Sequence, residues 1–254
     1  MERPDEKDSS LVRVAVMKSF EGQTAVITGA TSAIGKAIAA ALAGRGATLG
    51  LIGRNPRALR LLRENFGARA FCYQADLALD GDIQNLTREI QRDLDRVDIV
   101  VHNAGVISTG PVENTSVEDF DLQYRINVRA PYLLTQSLLP MLKSSHGQIV
   151  FMNSSLWLNA RSGVAQYAAT KYALKAMADS LRDEVNSDGI RVLSVFPGRT
   201  AGPMQEARYA AERKPYHPES LLQPSDIALA VTAALDLPHT AEITDLRIRP
   251  FLKP

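Results

Sequence analysis

Tyr167 and Lys171 stand four positions apart in the stretch SSLWLNARSGVAQYAATK, residues 154–171. On a helix that spacing stacks both side chains on one face, a phenol beside an ammonium. Ser154 lies thirteen positions before Tyr167, at the end of the apolar run IVFM, which predicts a buried strand. A strand end facing a helix brings a hydroxyl, a phenol and an ammonium to one point, the components of a proton-transfer site. A free tyrosine titrates near pH ~10 and is a poor acid–base group at neutral pH. Lowering it by ~2.5 units takes ~3.4 kcal/mol in favour of the phenolate. An ammonium ~4–5 Å away at an effective dielectric of ~20 supplies about 3–4 kcal/mol, which is enough. A Tyr–Lys pair on its own is as readily a surface contact, so its meaning turns on whether a cofactor site lies beside it.

The elements that must hold these groups follow from short apolar runs alternating with helical stretches. TAVIT predicts a strand, GATSA a turn and IGKAIAAALAGRG a helix. ATLGLIG is a second strand, NPRALRLLRENF a helix, ARAFCYQ a third strand and residues 80–96 a polar amphipathic helix. VDIVVH is the fourth strand, residues 116–143 one long helix, GQIVFMN the fifth strand and residues 162–187 another helix. IRVLSVF is the sixth strand, 200–222 a helical or irregular segment, PSDIALAVTAALD a helix and ITDLRIR a short closing strand. Strands apolar at every residue and separated by helices mean a parallel sheet buried on both faces. Right-handed crossovers wind them into an α/β, doubly wound parallel sheet of three layers with a cleft at its switch point. One domain over residues 21–254 accounts for all of them. Residues 1–20 predict a leader or small packing arm, since Arg13 interrupts the apolar run that a secretory signal needs.

Composition removes several classes of function. The 29 basic and 28 acidic residues leave a net charge of +1, without the broad electrostatic footprint of a nucleic-acid or membrane-surface binder. No apolar run approaches the ~20 residues that span a bilayer. Cys72 is the sole cysteine, so no internal disulfide forms, and a reducing, cytoplasmic compartment is expected. Its place in FCY predicts a buried, inert thiol. His102, His146, His217 and His239 lack ligand spacing, and no metal is expected.

Residues 28–35, TGATSAIG, join the first strand to the first helix. Glycine there lets the backbone turn tightly and approach a pyrophosphate seated on the positive end of the helix. Thr31 or Ser32 is placed to cap that helix. With HNAG at 102–105, Asn127 in RINV, Ser154 and the Tyr167/Lys171 pair following in order, the chain resembles the classical short-chain dehydrogenase/reductase family from about Gln23 to its end. The family pattern is TGxxxGxG, NNAG, Asn, Ser and YxxxK. Two departures stand out: Ala33 replaces the middle glycine and His102 the first Asn. At a helix start φ is negative, so Ala33 is expected to be tolerated with some loss of dinucleotide affinity. His102 is expected to be a strand-end hydrogen-bonder.

The resemblance implies a Rossmann-like fold and a dinucleotide-dependent oxidoreductase that interconverts a carbonyl and a secondary alcohol on a small organic substrate. Tyr167 would be the acid–base group, with Lys171 activating it and also holding the nicotinamide ribose. Ser154 would hold the substrate oxygen, and Asn127 would place a water that links Lys171 to solvent. Ser155 competes for the serine role, and spacing from Gly147 and Tyr167 favours Ser154. Around the cofactor the resemblance places Gly29, Thr31, Ser32, Ala33, Ile34 and Gly35 at the diphosphate, and Asp76 with Leu77 at the adenine. It makes Asn103, Ala104 and Gly105 the floor, and Pro197, Gly198 and Thr200 the cover over the nicotinamide. An NAD binder puts a carboxylate at the end of the second strand. This chain has Arg54, whose guanidinium pairs with a 2′-phosphate, so NADP(H) is expected; a plain strand-end arginine is the alternative.

Residues 199–222 have the composition of a mobile lid that sets substrate choice. Arg199, Arg208 and Arg213 carry charge suited to an acidic substrate, but Glu206, Glu212 and Glu219 are interleaved with them, which favours a solvated face. Trp157 and Leu158 suit an apolar substrate wall or the core equally, and Tyr172 suits packing. The helices at 116–143 and 162–187 pair between subunits in the family, which implies a homodimer or homotetramer. The basic ending ITDLRIRPFLKP departs from the family's glycine-rich finish. The rival reading is an NADP(H)-binding sensor or scaffold of the same fold without turnover.

Overall fold

A computed structural model describes residues 19–157 and 160–252. Leu158, the side chain of Trp157 and residues 1–18 of the expected leader or arm lie outside the described residues. Phe20, at the end of that segment, is buried, with the Arg45 guanidinium 4.2 Å above its ring.

The elements run β1 (Thr24–Thr28), α1 (Ala33–Ala43), β2 (Thr48–Gly53), α2 (Pro56–Phe66), β3 (Ala70–Gln74), α3 (Asp80–Asp93) and β4 (Ile99–His102). They continue with α4 (Val117–Tyr124), α5 (Ala130–Ser145), β5 (Gln148–Met152), α6 (Ala165–Val185), β6 (Arg191–Pro197), α7 (Pro203–Ala211), α8 (Pro224–Leu235) and β7 (Asp245–Ile248). All pairings are parallel, and the seven strands lie in the order β3-β2-β1-β4-β5-β6-β7. The doubly wound parallel sheet read from the apolar runs is the one observed, with its switch point between β1 and β4.

Each face of the sheet carries its own core. Ile38 and Leu42 of α1 pack with Ile227 and Val231 of α8 on one side. Leu86 and Ile90 of α3, Leu134 and Leu138 of α5 and Leu174 and Ala178 of α6 fill the other. Strands buried on both faces have no solvent side, and β1 and β2 accordingly read as unbroken apolar runs.

The segment 116–143 is not one helix. A π-helical turn, Arg125–Arg129, separates α4 from α5. Pro131 explains it: an α-helix would pair the Asn127 carbonyl with an N–H at 131 that proline lacks, and the ring would crowd that carbonyl. The wide turn buries the side chains of Ile126, Asn127 and Val128. Helix α6 starts at Ala165 rather than 162, and the segment 200–222 resolves into α7 and a 3-10 turn at Pro218–Ser220.

Candidate active site

The turn after β1 is built by hydrogen bonds that cross the switch point. Ser32 caps α1, its Oγ accepting the Gly35 N–H at 3.1 Å, a contact of about 1 kcal/mol. The Asn103 amide, at the end of β4, donates to the carbonyls of Thr28 and Gly29, each at 3.0 Å, and to Ser32 Oγ at 3.1 Å. Thr28 Oγ1 in turn accepts the N–H groups of Asn103 and Ala104, both at 3.0 Å. Gly29 adopts φ +62°, and a Cβ there would come within 2.9 Å of Ala104 Cα. A Cβ on Gly35 would strike the Gly29 carbonyl at 2.3 Å. Gly35 therefore packs the turn and is not among the residues that line the cleft. Ala33 is the first residue of α1 and is not among the positive-φ positions, so its methyl leaves the turn unstrained.

Above this turn opens a cleft of about 1390 Å³. Gly29, Thr31, Ser32, Ala33 and Ile34 line one part of it, with Lys36 beside them and no acidic side chain in the first turn of α1. Exposed N–H groups, the positive helix end and the absence of carboxylates fit a diphosphate. Arg54, exposed at the end of β2, lines the rim, and among the described residues it has no ion-pair partner. Asp76 and Leu77 line the same end. The Asp76 carboxylate accepts the Ala78 N–H at 3.0 Å, while its own N–H donates to Asp82 at 2.8 Å, which fixes its direction. Asn103, Ala104, Gly105, Pro197, Gly198 and Thr200 complete the lining expected for a dinucleotide. The residues present thus fit such a cofactor.

Ser154, Tyr167 and Lys171 meet in the same cleft, and Ser155 lines it too. Asn153, absent from the sequence reading, joins strand to helix: its amide donates to the Lys171 carbonyl at 3.1 Å and its oxygen accepts the Ser154 N–H at 2.8 Å. Ser154 Oγ accepts the Leu156 N–H at 3.2 Å. Burial pushes the Tyr167 phenol above its usual range, and the Ser154 hydroxyl and the Arg208 guanidinium partly offset that. Lys171 is buried, which lowers its ammonium to about 8. Its Nζ lies 5.6 Å from the Tyr167 ring centroid and donates to the Met152 carbonyl at 2.9 Å. The ammonium is thus held by a backbone carbonyl as well as lying over the Tyr167 ring, because a buried charge takes the nearest acceptor.

Asn127 does not line the cleft. Its amide donates to the Val106 carbonyl at 2.9 Å and to Thr170 Oγ1 at 3.0 Å, and its oxygen accepts the Val106 N–H at 2.9 Å. Thr170 Oγ1 donates to the Tyr167 carbonyl at 2.8 Å. The Asn127 side chain is thus fully used in tying the β4–α4 loop to α6, and it positions the cleft wall from behind. His102 is buried and neutral, burial lowering its pKa to about 3, with Nε2 2.8 Å from Thr135 Oγ1 and its ring stacked on Phe151. That bears out a hydrogen-bonding role at the strand end.

The lid segment differs from its expected solvated face. Arg199 and Arg208 line the cleft, as does Arg161. Glu212 instead pairs with Arg208, at 3.0 Å, and Lys214, at 2.8 Å. Arg213 lies exposed and outside the lining. Tyr172 is 46 % exposed on α6 and does not line the cleft. Cys72 is partly buried, and burial raises its pKa, in keeping with an inert thiol. Sequence spacing gave one clue to the Arg208–Glu212 pair, the four-residue separation; Arg161, Gln205, Thr170 and Asn153 carried no signal that periodicity could expose.

Residues 23–213 match the family described as short chain dehydrogenase. The chain belongs to that family and is an oxidoreductase of the short-chain dehydrogenase type. An uncharacterized oxidoreductase of Staphylococcus epidermidis is 32% identical over 235 residues, 92% of this chain and 100% of the relative. Among solved structures, alcohol dehydrogenase from the archaeon Thermococcus sibiricus, complexed with 5-hydroxy-NADP, superposes with a TM-score of 0.80 at 28% identity, covering 91% of this chain and 98% of that one. The 3-ketoacyl-(acyl-carrier-protein) reductase from Brucella melitensis, complexed with NADH, gives 0.81 at 27% identity, with 92% and 99% covered. Among the described residues no group of side chains could hold a metal ion, and no helix is long and apolar enough to cross a membrane.

Proposed function

We propose that this chain is an NADP(H)-dependent oxidoreductase interconverting a carbonyl and a secondary alcohol on a small organic substrate. One observation carries the reading: Ser154, Tyr167 and Lys171 converge in a cleft whose other half fits a dinucleotide. When bound, the cofactor supplies or accepts a hydride at the substrate carbon. Ser154 holds the substrate oxygen, and Tyr167 gives that oxygen a proton during reduction or removes it during oxidation. Burial alone makes the phenol a weak acid. Lys171 offsets this when its ammonium leaves the Met152 carbonyl for the ribose hydroxyls and approaches the ring. At ~4–5 Å and an effective dielectric of ~20 it favours the phenolate by about 3–4 kcal/mol. The turn 29–34 takes the diphosphate, Asp76 and Leu77 the adenine, and Pro197, Gly198 and Thr200 the nicotinamide end.

The relatives' complexes hold both phosphorylated and unphosphorylated dinucleotides, so the choice of NADP(H) rests on Arg54. A guanidinium there pairs with a 2′-phosphate, where a carboxylate would repel it. A cytoplasmic homodimer or homotetramer completes the proposal; Leu122, Tyr124, Tyr132 and Tyr172 are exposed on α4, α5 and α6, the helices such a contact would use. The test is loss of NADPH absorbance with a panel of aldehydes, ketones and oxo acids. Turnover of at least one compound is expected. NADPH binding with no turnover across the panel would favour the sensor or scaffold reading instead.

A further inference from the structure

We infer that the substrate half of the cleft recognises a carboxylate on the same molecule whose carbonyl or hydroxyl meets Ser154 and Tyr167, so that the substrates are small oxo or hydroxy acids. The inference rests on the oxidoreductase reading above and narrows it. Three observations carry it. The first is the sign of the walls. Arg161, Arg199 and Arg208 line the cleft, whereas among the described residues the one acidic side chain in the lining is Asp76, at the end of β3. Glu206 and Glu219, interleaved with these arginines in sequence, do not line it.

The second is an incomplete charge balance on α7. Glu212 lies against three cations, Arg208 at 3.0 Å, Lys214 at 2.8 Å and Arg199 at 3.8 Å. One carboxylate cannot neutralise three cations, and a positive excess remains at the cleft wall. Arg208 engages Glu212 through Nε, which among the described residues leaves both terminal nitrogens of its fork without an acceptor. That fork is the geometry that pairs with a carboxylate bidentately.

The third is an unanswered donor. Gln205 stands one helical turn before Arg208 and lines the same cleft, and its Nε2 is shielded from water with no hydrogen-bond partner among the described residues. A buried amide donor without an acceptor is costly, and an anion delivered with the substrate would satisfy it. Helix α7 thus presents two donor groups at an i,i+3 spacing to the same cleft. The Arg208 charge also lowers the pKa of the Tyr167 phenol, and both side chains line the same cleft. Met204 and Leu156, also in the lining, suit a short aliphatic body between the two ends.

The test compares kcat/KM for 2-oxobutanoate and acetoacetate with the values for their methyl esters, which keep the carbonyl and lose the charge. A charge-assisted contact predicts a preference of about 10- to 150-fold for the acid. Arg208→Gln should collapse the acid-to-ester ratio towards unity, and Arg208→Lys should retain part of it. The ratio isolates recognition, because any change in the acidity of Tyr167 affects acid and ester alike. Binding is followed separately, as the thermal shift acetoacetate gives the NADP⁺-loaded protein. A shift without turnover of any carbonyl keeps the anion site and removes the oxidoreductase reading. Turnover of neutral ketones or esters with neither a shift nor an acid preference overturns the anion site alone. If Arg208→Gln weakens NADPH binding and leaves the ratio unchanged, the guanidinium serves the dinucleotide and the inference falls.

Discussion

The Cβ of Ala33 lies 3.1 Å from the point that a side chain on Gly202 would occupy, so the phosphate turn and the entry to α7 touch through a methyl group and a bare backbone. Gly202 also adopts φ +150°, a conformation that L side chains rarely take. Ala33, the departure from the family's glycine, is therefore matched across the cleft by a residue with no side chain.

Gly202→Ala should destabilise the protein by about 1–3 kcal/mol, from backbone strain together with the crowding of Ala33. Ala33→Gly in the same background should restore the steric part but not the strain. Urea unfolding of the two single mutants and the double mutant measures the coupling, expected at about 0.5 kcal/mol or more. Strict additivity would mean the two positions do not press on each other.

Replacing Tyr167 by Phe removes the proton and keeps the ring. Turnover should fall by at least ~100-fold, as expected for loss of a positioned acid–base group, while NADPH binding changes little. Steady-state rates and fluorescence titration of NADPH separate the two effects. Near-normal turnover would exclude the phenol as the proton donor.

Arg54→Asp places a carboxylate where a 2′-phosphate would lie. The ratio of kcat/KM for NADPH over NADH should drop by about 10-fold or more, the worth of one charge-assisted contact. A ratio that does not move would assign Arg54 to the strand end and nothing more.

Lys171 gives the nucleotide-free protein a pH signature. Its pKa is about 8 in the folded chain and 10.5 in the unfolded one, so between those values the unfolded state binds more protons. Stability therefore rises with pH across about 8 to 10, by about 2–3 kcal/mol, and is level below that range, where both states are charged. Cys72, Tyr73 and Tyr167, whose pKa values are raised, pull the other way at the upper end. Subtracting the profile of Lys171→Met, with both proteins carrying Tyr167→Phe, cancels the others, and the difference curve should keep the rise. A flat difference would mean the ammonium is solvated.

The fold was legible because strands buried on both faces need apolar residues throughout, and the seven runs stand out against the amphipathic helices. The site was legible where its groups sit at fixed offsets from strand ends, as with Gly29, Ser154 and Tyr167. The break at Arg125–Arg129 was not, because the apolar spacing continues through it and only Pro131 marks it. Nor was the direction of Lys171, which depends on a backbone carbonyl, that of Met152, and carbonyls carry no sequence signature. The lid arginines misled for a related reason. Sequence shows that charges alternate, but which carboxylate each guanidinium meets depends on the turn of α7.

The network through Thr28, Asn103 and Ser32 is confined to strand ends and the first helix start, whereas Gln205 and Arg208 belong to one short helix. On the reading proposed above, what grips the coenzyme and what selects its reaction partner lie on different elements, which meet at Ala33 and Gly202. Exchanging α7 for a helix of different polarity should retool this scaffold for new compounds and leave its redox half intact.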